Sequence, residues 1–215
     1  MEKIWLSSYP PGIPAALELD PQRTLVSLLE EACQRFSAQP AFTNFGRTIT
    51  YAELEELSAR FAASLQKRLG LQKGDRVALM MPNCLQYPVA LLGVLRAGLV
   101  VVNVNPLYTA RELHHQLVDS GAKAIVVVAN AAATLADVVD QTPVEHVIVT
   151  GLGDLLGFPK RPIVNFIVRY IKRLVPAYSL PGAMTFDAML RGDARQLDLP
   201  DLTGADLAFL QYTGG

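Results

Sequence analysis

Hydrophobic and polar positions alternate in blocks through the middle of the chain. Apolar, β-branched runs cover 77–81, 99–104, 124–129 and 146–150, starting about 22 to 25 residues apart. Helical spacing fills the intervals at 85–97, 110–120 and 131–140. Near-continuous apolar strands separated by helices predict a parallel sheet covered on both faces, a layered α/β fold.

Local signals agree with these elements. Thr109 and Glu112 form a capping box, and Gly121 suits the helix end that follows. Thr50 and Glu53 repeat the pattern before the stripe Leu54, Leu57, Phe61 and Leu65, which Gly70 closes. Residues 41–45 and 48–50 around Gly46 and Arg47 read as a hairpin. A last apolar run, 207–212, leads into Thr213-Gly214-Gly215.

One stretch, 77–95, carries no charge and approaches the ~20 residues of a membrane span. Pro82, Asn83, Gln86 and Pro88 divide it, so it reads as a strand, a turn and a helix.

Composition narrows the classes. The 215 residues are 51% hydrophobic and 18% charged, which argues against disorder and for elements buried on both faces. A net charge of −1 argues against a nucleic-acid binder. Cys33 and Cys84 stand alone, without metal-ligand spacing, and imply a reducing, cytoplasmic setting. His114 and His115, adjacent on a helix, point about 100° apart and cannot share one metal.

Three segments are candidates for chemistry. Gly151, Gly153 and Gly157 are spaced like a variant dinucleotide loop, but Pro159 and Pro162 break the helix that such a loop must open. The second segment is basic: five bases and no acid lie between Asp154 and Asp187, against a net −6 over the rest of the chain. Its apolar residues Ile163, Phe166, Ile167, Tyr170, Ile171 and Leu174 fit one face of a helix over 163–175, with Arg169, Lys172 and Arg173 off it. Two readings stay open, an apolar face packed on the core or one laid on lipid or an acyl chain. The third is the strand running into Tyr212-Thr213-Gly214-Gly215, as phosphate loops begin, because glycines let backbone amides approach an anion. A conjugation-type diglycine tail fits less well, since the residues before it are strand-like.

Lys73-Gly74-Asp75-Arg76-Val77, Met81-Pro82-Asn83 and Tyr87-Pro88 through Gly98 resemble the adenylate-forming (AMP-binding) acyl-CoA synthetase superfamily. Residues 101–109, with Arg111-Glu112-Leu113 and Asp119-Ser120-Gly121, resemble bacterial long-chain fatty-acid–CoA ligases in particular, and the likeness runs from Trp5 to Gly215. The resemblance implies ATP-dependent activation of a long-chain fatty acid to an acyl-adenylate, then transfer to CoA, with magnesium as the metal. It implies that Tyr212, Thr213, Gly214 and Gly215 open the nucleotide-binding phosphate loop, and Gly214 tilts the substrate toward fatty acyl groups. The chain stops there, so an N-terminal piece, inactive alone and with neither catalytic residue nor metal ligand, is expected. Residues 1–24 are expected to form an arm and 25–215 the α/β portion of an AMP-binding domain. That arm packs on its own domain or reaches a neighbouring subunit of a homodimer. Phe166, Arg169, Tyr170, Lys172 and Arg173 are the residues for membrane or acyl contact, consistent with peripheral attachment to the inner membrane. The alternative function is a non-catalytic oligomerisation or membrane-surface module.

Overall fold

The computed structural model describes residues 3–16 and 20–212. After a short 3-10 turn at Ile4–Ser8 with no buried residue, helix α1 spans Leu25–Arg35. A hairpin of β1 (Pro40–Asn44) and β2 (Arg47–Thr50) follows, and α2 runs from Tyr51 to Lys67. Phe45 and Gly46 both take positive φ at the hairpin tip, the conformation of a two-residue type I′ turn.

The main sheet begins with β3 (Arg76–Met80), which leads through α3 (Gln86–Arg96) to β4 (Val100–Asn103). Helix α4 (Ala110–Ser120) returns past β3 to β5 (Ala124–Val128), and α5 (Ala132–Ala136) leads to β6 (His146–Thr150). Beyond it come α6 (Lys160–Phe166), a π-helical turn (Ile167–Ile171), β7 (Met184–Thr185), α7 (Phe186–Met189) and β8 (Phe209–Leu210). Six parallel strands lie in the order β7-β6-β5-β3-β4-β8. This is the layered, mostly parallel α/β fold that the blocks predict.

Burial explains the apolar runs. Every residue of β5 is buried, as are Val77 through Met80 of β3, because helices cover both faces of the sheet. The β3–α3–β4 connection moves one way along the sheet and the β4–α4–β5 connection the other, so right-handed crossovers put α3 and α4 on opposite faces. Helix α2 packs on α3 and also meets α1 and α7, while α4 meets α5. Gly93 of α3 makes the α2 contact close: a Cβ there would lie 2.7 Å from Phe61 Cδ1. Phe61 in turn stacks on Phe186, ring centroids 5.1 Å apart.

Several elements depart from the sequence pattern. Thr24 and Ser27 form a reciprocal cap that starts α1, a helix the sequence pattern did not mark. The helix expected over 131–140 is broken into 3-10 turns around the five residues of α5. The strand expected over 207–212 shortens to two residues at the sheet edge, where β4 is its one partner among the described residues. The uncharged stretch 77–95 resolves into β3, a turn and α3, and no described helix is long and apolar enough to cross a membrane.

The largest correction concerns the basic segment. The single helix expected over 163–175 is instead α6 plus the π turn, closed where the Leu174 amide donates to the Val168 carbonyl (3.0 Å) across Arg173 at φ +50°. Neither face register matches the predicted stripe. Val164 packs against the core, whereas Phe166, Tyr170, Ile171 and Leu174 are 55 to 62% exposed. The apolar face therefore does not rest on the core of this chain.

Candidate functional site

In an open α/β sheet, ligands bind outside the carboxyl ends of the strands where the chain reverses its direction of travel. Here the chain steps from β3 to β4 and then back past β3 to β5, so that point lies between β3 and β5. Beside it, over the carboxyl ends of β3, β4 and β8, opens a cleft of about 370 Å³ lined by Met81, Asn83, Tyr87, Asn103, Tyr108 and Tyr212 among others.

Asn103, the last residue of β4, organises the polar groups. Its Oδ1 accepts from the Tyr87 hydroxyl (2.9 Å), and its Nδ2 donates to Gln211 Oε1 (3.3 Å). Its backbone carbonyl accepts from Gln116 Nε2 of α4 (2.8 Å). Gln116 is buried, and its Oε1 has no hydrogen-bond partner among the described residues. Burial pushes the Tyr87 phenol up, opposed by its bond to Asn103. Tyr87 and Asn103 thus present a neutral polar floor, while Gln211 brings the residue after β8 into the same network.

Tyr212 leaves β8 at this cleft, and its hydroxyl donates to Asp119 Oδ2 on α4 (2.5 Å). Burial, and then the negative Asp119, push its phenol up to about 12, so it stays a neutral donor at physiological pH. The remaining predicted loop residues, Thr213, Gly214 and Gly215, lie outside the described residues.

The structure separates the other predicted group from this cleft. Phe166, Arg169, Tyr170, Lys172 and Arg173 belong to the segment after β6, which is four strand spacings from β8, about 19 Å at the usual interstrand distance. In the 151–157 loop Gly151 and Gly153 serve packing, whereas a Cβ on Gly157, at φ +72°, would meet nothing within 4 Å. A Cβ on Gly151 or Gly153 would lie 2.8 or 2.9 Å from Asn165 Oδ1, and Asn165 accepts from the Gly153 amide (2.8 Å). The loop amides are engaged within the chain: the Gly151 amide and Asn165 Nδ2 donate to the Asp154 carboxylate (2.8 and 2.9 Å). Asn103, Gln116 and Asp119 are site residues that pattern reasoning alone did not select. The one signal was Asn103 interrupting an otherwise apolar strand.

Fold and cleft together define an open α/β protein with its ligand crevice at the carboxyl ends of β3 and β4. The chain belongs to the AMP-binding enzyme family, whose profile matches residues 29–215. It is 58% identical over 216 aligned residues to the long-chain-fatty-acid–CoA ligase of Salmonella typhimurium, covering 100% of this chain and 38% of that protein. The chain thus spans 38% of the length of that curated relative. Among solved structures, the anthranilate CoA ligase AuaEII in complex with anthranoyl-AMP superposes with a TM-score of 0.72 at 18% identity, over 92% of this chain and 33% of that one. A long-chain-fatty-acid-CoA ligase from Archaeoglobus fulgidus gives 0.67 at 23%, over 96% and 37%. At such identities the two structures establish the fold.

Proposed function

We propose that this chain supplies the N-terminal α/β part of a long-chain fatty-acid–CoA ligase, with the phosphate loop beginning at Tyr212. The observation that carries this reading is the 58% identity maintained across the whole chain. In that reaction the fatty carboxylate attacks the α-phosphorus of ATP, giving acyl-adenylate and pyrophosphate, and the CoA thiol then displaces AMP. Charge grows on the transferring oxygens, so the enzyme must aim amides and hydroxyls at them. Thr213, Gly214 and Gly215 are the residues assigned to that task. Tyr212 holds the point of departure, anchored on Asp119, and Asn103 holds Gln211 beside it. Among the described residues no three His, Cys, Asp or Glu side chains cluster so as to hold a metal ion.

Joining these 215 residues to the remainder of the Salmonella typhimurium ligase tests the reading. Oleoyl-CoA formation from oleate, ATP and CoA is expected from the chimera, and a soluble, folded chimera without turnover would refute it. The chain alone is expected to give no ATP–pyrophosphate exchange with oleate, because three loop residues cannot enclose a triphosphate.

The exposed face of the basic segment favours a second role for the same chain, contact with an anionic lipid surface through Phe166, Tyr170, Lys172 and Arg173, with Arg169 at the edge. Liposome co-sedimentation of a Lys172→Glu/Arg173→Glu variant is expected to fall on anionic vesicles; undiminished binding would exclude the role.

A further inference from the structure

A second cleft, of about 490 Å³, lies over the carboxyl ends of β5, β6 and β7, beneath the π turn. That volume is within the usual range for small-molecule sites. Its charges are unequal. Arg161 pairs with Asp187 (Nη1 to Oδ2, 2.5 Å) and lies 3.8 Å from Asp154 Oδ1, so one guanidinium faces two carboxylates, and Arg169 and Arg191 bring the wall to a net positive charge. Arg169 from the π turn and Arg191 from the residues after α7 line the same cleft, and neither forms an ion pair among the described residues. The wall carries Val168, Val175 and Leu180 as well. Asn130 Nδ2 donates to the Leu174 carbonyl (3.0 Å), tying the end of the π turn to the residues after β5. Such turns occur often at functional sites, and this one brings Val168 to the cleft and Arg169 to its exposed rim, where the guanidinium also lies 6.0 Å from the ring centroid of the outward-facing Tyr170.

Two unmatched guanidinium groups beside an apolar wall suit an anionic head on an apolar tail. We propose that this cleft is a binding site for a long-chain carboxylate, its head held by Arg169 and Arg191 and its tail laid along Val168, Val175 and Leu180. The choice of carboxylate rests on the ligase reading; the site itself rests on the geometry. It stands over β5–β7, three strands or more from the Tyr212 end of the sheet, so it would hold a fatty acid apart from the β3–β4 cleft.

Titration of the 215-residue chain with cis-parinaric acid, followed by its fluorescence, tests the site. Oleate is expected to displace the probe and oleyl alcohol to leave it bound. Arg169→Gln/Arg191→Gln is expected to weaken parinarate by at least about tenfold, the scale of a lost charge-assisted hydrogen bond. Val175→Trp, which keeps both arginines and fills the apolar end, should also abolish binding. Wild-type affinity in the folded double variant, or equal displacement by the alcohol, would overturn the proposal. Should the double variant not fold, Arg169→Gln alone, at an exposed position, is judged by the same criterion. An inactive chimera would count against the ligase reading and leave this binding result intact, whereas unchanged binding sinks the site alone.

Discussion

Arg96 shows how a single buried charge is accommodated. It is 6% exposed at the end of α3, with Glu30 of α1 3.9 Å and Glu55 of α2 3.8 Å away, and its Nη2 has no hydrogen-bond partner among the described residues. Removing the partners of a buried charge costs about 3–5 kcal/mol, whereas replacing the charge by an apolar group of similar size is often near neutral. Glu30→Gln/Glu55→Gln is therefore expected to destabilise more than Arg96→Met in urea unfolding, and the reverse order would contradict the account. Tyr212 gives a pH-dependent counterpart. Its folded pKa, about 12, lies above the ordinary phenol value, so its contribution to stability is complete below about pH 10 and is lost as pH rises through 12. Tyr212→Phe should remove one phenol ionising near 12 from the ultraviolet titration and flatten the loss of stability above pH 10.

At the scale of elements, close approach between helices decides what the sheet can carry. Gly93→Ala would push its methyl against Phe61 Cδ1 at 2.7 Å and the Ser58 carbonyl at 3.0 Å. Overpacking of this kind costs roughly 1–3 kcal/mol. A lowered thermal midpoint is expected, partly recovered by Phe61→Leu in the same chain; no recovery would show that the strain lies elsewhere. The elements that the sequence marked clearly share a property: β3, β4, β5 and α4 are either buried on both faces or capped by a standard box, so their signals are local, and β6 is buried at Ile148 and Thr150. Helix α1 escaped because Ser27, not Glu or Gln, closes its cap. In the basic segment the 3.6-residue period does not hold past Phe166. Val164 of α6 packs on the core and Val168 of the π turn lines a cleft, in place of the apolar stripe.

For the molecule as a whole, the return from α7 to β8 is held as a strap across α2 and the loop before β3. Gln66 exchanges hydrogen bonds with the backbone of Asp198 (2.9 and 3.0 Å), Lys73 reaches the Asp201 carbonyl (2.5 Å) and Asp206 (2.8 Å), and the Gly204 amide donates to Pro21 (2.8 Å). Gln66→Ala should speed hydrogen exchange at the Asp198 amide while leaving β5 amides protected, and unchanged exchange would show that the strap is held without it. Composition and periodicity were enough to specify a layered α/β chain, its central strands, two capping boxes and the point where a glycine-rich exit begins, because each depends on contacts within a few residues. Strand order, the gathering of Tyr87, Asn103, Gln116 and Gln211 at one cleft, and the pairing of Arg161 while Arg169 and Arg191 have no ion-pair partner among the described residues were decided only by the folded chain. These depend on residues from 13 to 108 positions apart at the first cleft, and no local pattern encodes which distant partner a polar side chain will meet.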